Sequence, residues 1–565
     1  MSEIAERAVQ NFRRRDARDK LMGRTRYTID RGTAGMLHAA LLRSEVPSGR
    51  ILRLDTTAAA CMPGVRAIVT AADAPGRAGL GIADHPLFAI DTVRYCGEPI
   101  AAVAADSERQ ARDALAAIEV EIAPLPAVLD MGSALADAAP LVHPGWESYE
   151  VLTPGGMRGG NVAWEASVDR GDIDAAFARN DVTVVESSFR VGRQNHLSFE
   201  PRAVVAHFED GRYQIETSTQ VPWTVRNTVA ALLAVPASSI RVTVPPVGGG
   251  FGLKFDCARE PFAALLARMS GRPVRLVNSR EEEMTTCLFR ENAEICIRSA
   301  ITPEGSIAGR EAVVLMDCGA YGGEQVFLTT MTAHTLGGNY RLGAVRIVSR
   351  AVYTNTAPNG VAPGVFRRRN VIGDGDLGAT GQVFEGDVLA PMLAKMEALR
   401  ERTPASLPGD GRLYGRATTV GTWFVFTGPS AATVNMNADG TATLVTSGVE
   451  IGSGSMMQSL PQIIADQLGL QPGDVTGVGG GRTTVSLGAA SRSAAIEVRT
   501  KLLKVASDML EASAEDLVME DGRIDIAGAR GSGVTIAEVA ARAQALRGPM
   551  AGTGPCTGAG TTAMA

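Results

Sequence analysis

Metal-ligand patterns are missing from this 565-residue sequence. Its seven cysteines (Cys61, Cys96, Cys257, Cys287, Cys296, Cys318 and Cys556) are odd in number and irregularly spaced, and no two form a CxxC pair. That excludes a disulfide framework and a zinc or iron–sulfur ligand set, and it fits a reducing compartment. The six histidines, His38, His85, His143, His196, His207 and His334, offer no zinc spacing, and neither HExxH nor a GxSxG elbow occurs. No apolar run approaches the roughly 18 residues that span a bilayer. The first twenty residues carry no apolar core of a signal peptide, so a cytoplasmic chain is expected. Basic excess is lacking too: 55 Lys+Arg stand against 61 Asp+Glu, a net charge of −6, which argues against nucleic acid as a partner. Aromatic residues make up 5%.

What is abundant is glycine, 63 residues, set between strand-like runs. Hydrophobic residues reach 45% and charged residues 21%, an ordinary globular balance with several domains' worth of chain. Residues 21–126 read as one α/β unit. Pro99 to Ala104 is a buried-strand pattern, Ser107 and Gln110 suggest a capping box, and Ala111, Ala114, Leu115 and Ile118 recur at helical spacing. Residues 127–160 are Gly/Pro-rich and read as a linker over the surface. Hairpins are expected at Glu209-Asp210-Gly211, Glu304-Gly305, Asp439-Gly440 and Asp521-Gly522. Helices are expected at 222–233, at 258–270 with Phe262, Leu265, Leu266 and Met269 on one face and Gly271 as C-cap, at 456–468 and at 494–512. Residues 548–565 read as a flexible tail.

Four segments carry chemical content. Val247-Gly248-Gly249-Gly250-Phe251-Gly252-Leu253-Lys254 permits amides to turn inward as an anion nest, or else forms a tight turn around a Phe. Gln220, in Glu216-Thr217-Ser218-Thr219-Gln220, offers a donor and an acceptor just before Pro222, which suits a first helical turn. Glu450-Ile451-Gly452-Ser453-Gly454-Ser455 is a glycine loop suited to anions but lacking Walker spacing. Gly488-Ala489-Ala490-Ser491-Arg492-Ser493 brings two hydroxyls and a guanidinium ahead of a helix. Each segment by itself also reads as a plain capped turn. His196 reads as a satisfied structural histidine and Cys318 as core.

Taken in order, these segments resemble the large, molybdopterin-binding subunit of the xanthine dehydrogenase / aldehyde oxidase / carbon monoxide dehydrogenase family. The likeness rests on Arg94-Tyr95-Cys96-Gly97-Glu98-Pro99, His196 to Pro201, Ser218-Thr219-Gln220, the GGGFGLK run at 248–254 and Ser279 to Glu283. It continues in Asp317 to Tyr321, Tyr353 to Thr356, Gly452-Ser453-Gly454 and Ala490 to Ser493. The resemblance implies a mixed α/β (α+β) chain: an extension at 1–20, an α/β hammerhead domain at 21–126, a linker at 127–160, molybdopterin-binding domains at 161–405 and 406–547 (the second incomplete), and the tail. It implies that Gln220 contacts the metal's oxo group, that Phe251 and Gly252 line the metal site, that Gly249 and Gly250 bind the cofactor, and that Gly452, Ser453, Gly454, Ser491, Arg492 and Ser493 hold the pterin and its diphosphate. No protein metal ligand is implied, because the pterin grips the molybdenum. The family reaction hydroxylates an aromatic N-heterocycle or aldehyde with water-derived oxygen. The resemblance further implies a cytosine dinucleotide form of the cofactor, and [2Fe–2S] and FAD on partner subunits.

Three departures from the family pattern stand out. Pro358 to Val365 runs directly into Phe366-Arg367-Arg368-Arg369-Asn370, where relatives carry a longer loop and helix. The helix after Ser493 reaches Lys501-Leu502-Leu503 early. No glutamate follows Gly548, so no catalytic residue is assigned; Glu200 and Glu450 lie near motifs without matching the family's base. A shortened, non-catalytic member that keeps the fold is therefore the alternative.

Overall fold

The computed structural model describes residues 16–257, 259–338, 340–358, 395, 430–446, 448–479 and 487–556. Three larger sheets carry the described chain. The first has seven strands in the order Ile240–Thr243, Arg212–Thr217, Ala203–Glu209, Val274–Val277, Leu37–Arg43, Pro99–Ala105, Val65–Thr70. Pro99–Ala105 is buried at every position, as expected of a central strand with both faces covered. The sheet does not stop at the end of the 21–126 unit. Leu37 pairs with Val274 in parallel, so the N-terminal unit and the following segment share one sheet. They also share one core, in which Leu37, Val69 and Ala104 pack with Val204, Ile215, Leu232 and Phe262.

The second sheet has six strands: Thr183–Val191, Ala293–Ile301, Ile307–Gly319, Leu342–Tyr353, Val162–Arg170 and Met157–Gly159. Ile307–Gly319 and Leu342–Tyr353 pair in parallel, so their connection crosses over through the helix Gln325–Thr335. The segment expected to be a surface linker is anchored here. Val128, Met131, Ala134 and Val142 are buried in this sheet's core beside Trp164 and Tyr353. The third sheet, Val475–Gly479, Ala442–Thr446, Ser430–Met436 and Met550–Cys556, packs against the helices Leu460–Leu468 and Gly488–Leu510.

All four expected hairpins form. At the first, Asp210 and Gly211 both have positive φ (50° and 73°), the turn whose twist matches the strands it joins. Ser107 caps Glu108–Leu115 by accepting from the Gln110 amide. Its own hydroxyl donates to the Gln110 side chain. Pro222 opens Pro222–Leu233, and Gly271 closes Glu260–Ser270 at φ 64°. Cys318 is fully buried, as expected of core.

Four expectations need correction. Met269 is 51% exposed; it falls past the buried stripe that Phe262, Leu265 and Leu266 form. The helix expected over 456–468 begins with a π-turn, Ser455–Ser459, before Leu460–Leu468. The helix expected from 494 starts at Gly488, so Ser491, Arg492 and Ser493 lie inside it rather than ahead of it. The stretch read as a tail from 548 instead supplies an ordered strand, Met550–Cys556, paired with Ser430–Met436. It fits because Gly552 and Gly554 let it press on the helix Gly488–Leu510: a Cβ at Gly554 would lie 2.0 Å from the Ala490 carbonyl. The junction at Val365–Phe366 and residues 557–565 lie outside the described residues.

Candidate functional site

The glycine run 248–252 is folded against Gln220. The Gly252 N–H donates to Gln220 Oε1 (3.1 Å), and the Gln220 N–H donates to the Lys254 carbonyl (2.9 Å). The approach is close enough to demand glycine: a Cβ at Gly250 would lie 2.4 Å from Gln220 Oε1, and one at Gly248 would lie 2.5 Å from Glu200 Cβ. Gly249 and Gly252 have φ of 100° and 98°, and Phe251 itself is left-handed at 55°. A left-handed Phe is an unfavourable conformation that surrounding contacts must hold. The residue is 70% exposed. Gln220 therefore commits its carbonyl oxygen to the loop, and among the described residues its NH2 group has no protein acceptor.

A buried ion pair underlies this loop. Lys254 Nζ lies 2.8 Å from Glu200 Oε2, with the two residues 2% and 6% exposed. Glu200 also accepts from the Gly248 N–H (2.7 Å) and the Thr28 N–H (3.2 Å). The carboxylate is thereby fully engaged in structure, and Glu200 is not placed as a free base. Burial lowers the Lys254 pKa from its ordinary value, and Glu200 opposes that shift. Arg280 donates to the carbonyls of Ser198 and Phe199 (2.8 and 2.9 Å), fixing the turn before Glu200.

His196 does not fit the expectation of a satisfied structural histidine. Its Nδ1 is buried with no hydrogen-bond partner, and its Nε2 would lie 3.3 Å from a Cβ at Gly252. Burial lowers its pKa, so the ring is held neutral beside the loop.

The second glycine loop meets the first. The Val247 N–H donates to the Glu450 carbonyl (3.1 Å), tying the start of the GGGFG run to the start of Gly452-Ser453-Gly454. The amides of Gly452 and Gly454 converge, as an anion nest requires, but on the chain's own carboxylate: both donate to Glu450 Oε1 at 2.8 Å. Gly454, at φ 80°, then leads into the π-turn.

Ser491, Arg492 and Ser493 are not drawn into this cluster by any side-chain hydrogen bond among the described residues. Ser491 is fully buried with its hydroxyl unpartnered, while Arg492 and Ser493 are exposed. The structure thus brings together Gln220, Gly249 to Gly252 and Gly452 to Gly454. Sequence reasoning missed the Lys254–Glu200 pair, the place of His196 and the carboxylate filling the second nest. The motif order marks these residues, but Glu200 lies far from Lys254 in the chain, and the Glu450 carboxylate turning back onto Gly452 and Gly454 leaves no periodicity to report it.

Comparisons with known proteins place three domain models on the chain. Residues 22–126 match the aldehyde oxidase and xanthine dehydrogenase a/b hammerhead domain, and residues 157–372 and 392–563 match two molybdopterin cofactor-binding domains. The chain is 30% identical to the nicotine 6-hydroxylase large subunit of Paenarthrobacter nicotinovorans, over 94% of this chain and 72% of that one. It is 29% identical to the xanthine dehydrogenase molybdenum-binding subunit of Escherichia coli O157:H7, over 90% of this chain and 74% of that one. Among solved structures, quinoline 2-oxidoreductase from Pseudomonas putida 86 superposes with a TM-score of 0.83 at 28% identity, covering 97% of this chain and 78% of that one. No described helix is long and apolar enough to cross a membrane. A hammerhead unit followed by molybdopterin-binding units, with a glycine loop closed on Gln220, places the chain in the xanthine dehydrogenase and aldehyde oxidase family of molybdenum oxidoreductases, among its molybdopterin-binding large subunits.

Proposed function

We propose that this chain holds a molybdenum–pterin cofactor, in its cytosine dinucleotide form, for a cytoplasmic hydroxylase of aromatic N-heterocycles or aldehydes. The observation that carries the reading is the Gly250–Gln220 contact, a cradle with no room for a side chain and a carboxamide NH2 left to donate. The buried, unpartnered Ser491 hydroxyl is a second polar group suited to the cofactor. When bound, the cofactor supplies a two-electron redox centre for inserting water-derived oxygen. The chain's own part is positional. Gln220 donates from its NH2, Gly249 to Gly252 keep the backbone thin, and Phe251 offers an apolar wall. Gly452 to Gly454, with Ser491 to Ser493, take the pterin and diphosphate. Electrons would leave to [2Fe–2S] and FAD subunits. The units 21–126, 161–405 and one from 406 that takes in the strand Met550–Cys556 are proposed as its domains.

The experiment is analysis of the purified full chain and of its complex with partner subunits. Expected are molybdenum near one atom per chain, an oxidised-pterin fluorescence, CMP on acid hydrolysis, and dye reduction with quinoline or benzaldehyde. Metal and pterin absent from both preparations would refute the reading. A second reading, a fold-retaining member without activity, is favoured by one observation: Glu450 already occupies the Gly452 and Gly454 amides. It predicts no dye reduction even from metal-loaded complex.

A further inference from the structure

The second sheet ends in a strand that is bonded on one side. Thr183–Val191 is the longest edge strand of the described sheets, and it pairs with Ala293–Ile301. Along its outer side the backbone groups have no partner among the described residues. Its burial pattern shows the same thing: no residue is buried, and only Ser187 and Val191 are half-buried. Proteins blunt such an edge with Pro, Lys, a bulge or brevity. None of these is present here. The segment TVVESSFRV has no Pro, Gly or Lys, and its register runs unbroken from Thr183 opposite Ile301 to Val191 opposite Ala293. Other edges are managed: Met157–Gly159 has three residues, Ile240–Thr243 has four, and Met550–Cys556 carries Pro555.

Side chains alternate across a strand, so Val185, Ser187 and Phe189 share one face. Val185 is 45% exposed and Phe189 52%. This face continues an existing core. Phe189 lies opposite Ile295 and Val191 opposite Ala293, in a cluster that includes Val314, Met316 and Leu328. On the other face Glu186 is matched by Arg298 and Arg190 by Glu294, each at 2.8 Å. The edge thus presents main-chain donors and acceptors with an apolar pair, and brings no unmatched charge to a seam.

We propose that Thr183–Val191 pairs antiparallel with the same strand of a second copy, about a two-fold axis at Ser187, joining two six-stranded sheets into one. Ser187 is the midpoint of the strand, so this register alone keeps all nine residues in the ladder. It sets Val185 opposite Phe189 of the second copy, and by symmetry Phe189 opposite Val185. An aromatic side chain against a β-branched one is a favourable cross-strand pair. An axis at Glu186 would set that carboxylate against its own copy, an unfavourable pair. An axis at Ser188 would leave Thr183 and Val184 outside the ladder and separate both Val185–Phe189 pairs. Self-complementarity of this kind is what a two-fold interface requires. One strand edge is small beside the roughly 800 Å² per partner of stable complexes, so the dimer is reversible, dissociating in the micromolar range. The inference does not rest on the redox reading.

The test is sedimentation velocity of the full chain over a concentration series reaching about 100 μM. Expected is a concentration-dependent dimer, with association weakened at least ten-fold in Val185→Lys while the thermal melt stays unchanged. Ser187→Cys should form a covalent dimer under mild oxidation, because opposed Cα atoms about 4.5–5.5 Å apart are within disulfide reach. Thr183→Cys, which this register holds about 27 Å from its own copy, should not. The wild type, with exposed Cys61, Cys96 and Cys296, sets the background. Should Val185→Lys fail to fold, the comparison of the two cysteine variants decides. A monomer throughout the series, a dimer that folded Val185→Lys leaves intact, or crosslinking by Thr183→Cys as readily as by Ser187→Cys would each overturn the proposal.

Discussion

Gly250 illustrates how little freedom single residues have here. An alanine there forces Gln220 aside without demanding an unusual backbone angle. We expect Gly250→Ala to fold, to lose about 1 kcal/mol, and to speed amide exchange at Gly252 once its acceptor is displaced. Exchange measured by NMR or mass spectrometry checks this; unchanged protection at Gly252 would contradict it. Lys254 is a different case. Removing one member of a buried pair leaves the other charged and unmatched. Lys254→Met should cost about 3 kcal/mol in chemical denaturation, and Glu200→Gln combined with it should recover part of that loss. His85 carries a pH dependence. Burial foremost, with the charge of Arg77, depresses its pKa to about 4. Below about 6.5 the unfolded chain takes up a proton that the folded chain refuses until about pH 4, so stability falls as pH falls through that window. His85→Phe should reduce the loss between about pH 6.5 and 4 by up to about 3 kcal/mol. His143, depressed to about 3, leaves a remaining acid sensitivity.

Elements that announce themselves locally were legible in the sequence. The Asp-Gly and Glu-Gly turns needed positive φ, and the hairpins formed there. Pro222 and Gly271 marked helix ends through their own backbone constraints. What was not legible depends on close approach. Met550–Cys556 has little hydrophobic signal, because its packing comes from the absence of side chains at Gly552 and Gly554. The early start of Gly488–Leu510 was hidden for the same reason: small residues at Gly488, Ala490 and Ser491 are buried without an apolar stripe. In the site, the motifs identified the loops and Gln220, but the long-range partners Glu200–Lys254 and Val247–Glu450 needed coordinates. A test at this scale is Gly554→Val, which drives a branched side chain into the Ala490 carbonyl and should cost about 3 kcal/mol or expel the strand. Circular dichroism melts and proteolysis after residue 548 would show it; a wild-type melting temperature would not be compatible with the packing described.

The whole molecule is knit across its nominal boundaries. The first sheet joins Leu37 to Val274, and its core mixes residues from before 105 with residues after 203. A fragment of residues 21–126 expressed separately should therefore show no cooperative unfolding transition, whereas the full chain should. A sharp melt from the fragment would show that its half of the core suffices.

If, as proposed, a phosphate-bearing molecule settles at Gly452 and Gly454, Glu450 sets the terms. Arrival there is an exchange of one negative group for another, so the observed affinity is a difference between two anions competing for the same pair of donors. The molecule without its guest keeps those donors satisfied, and the guest must first evict a resident tethered by a backbone only two residues away.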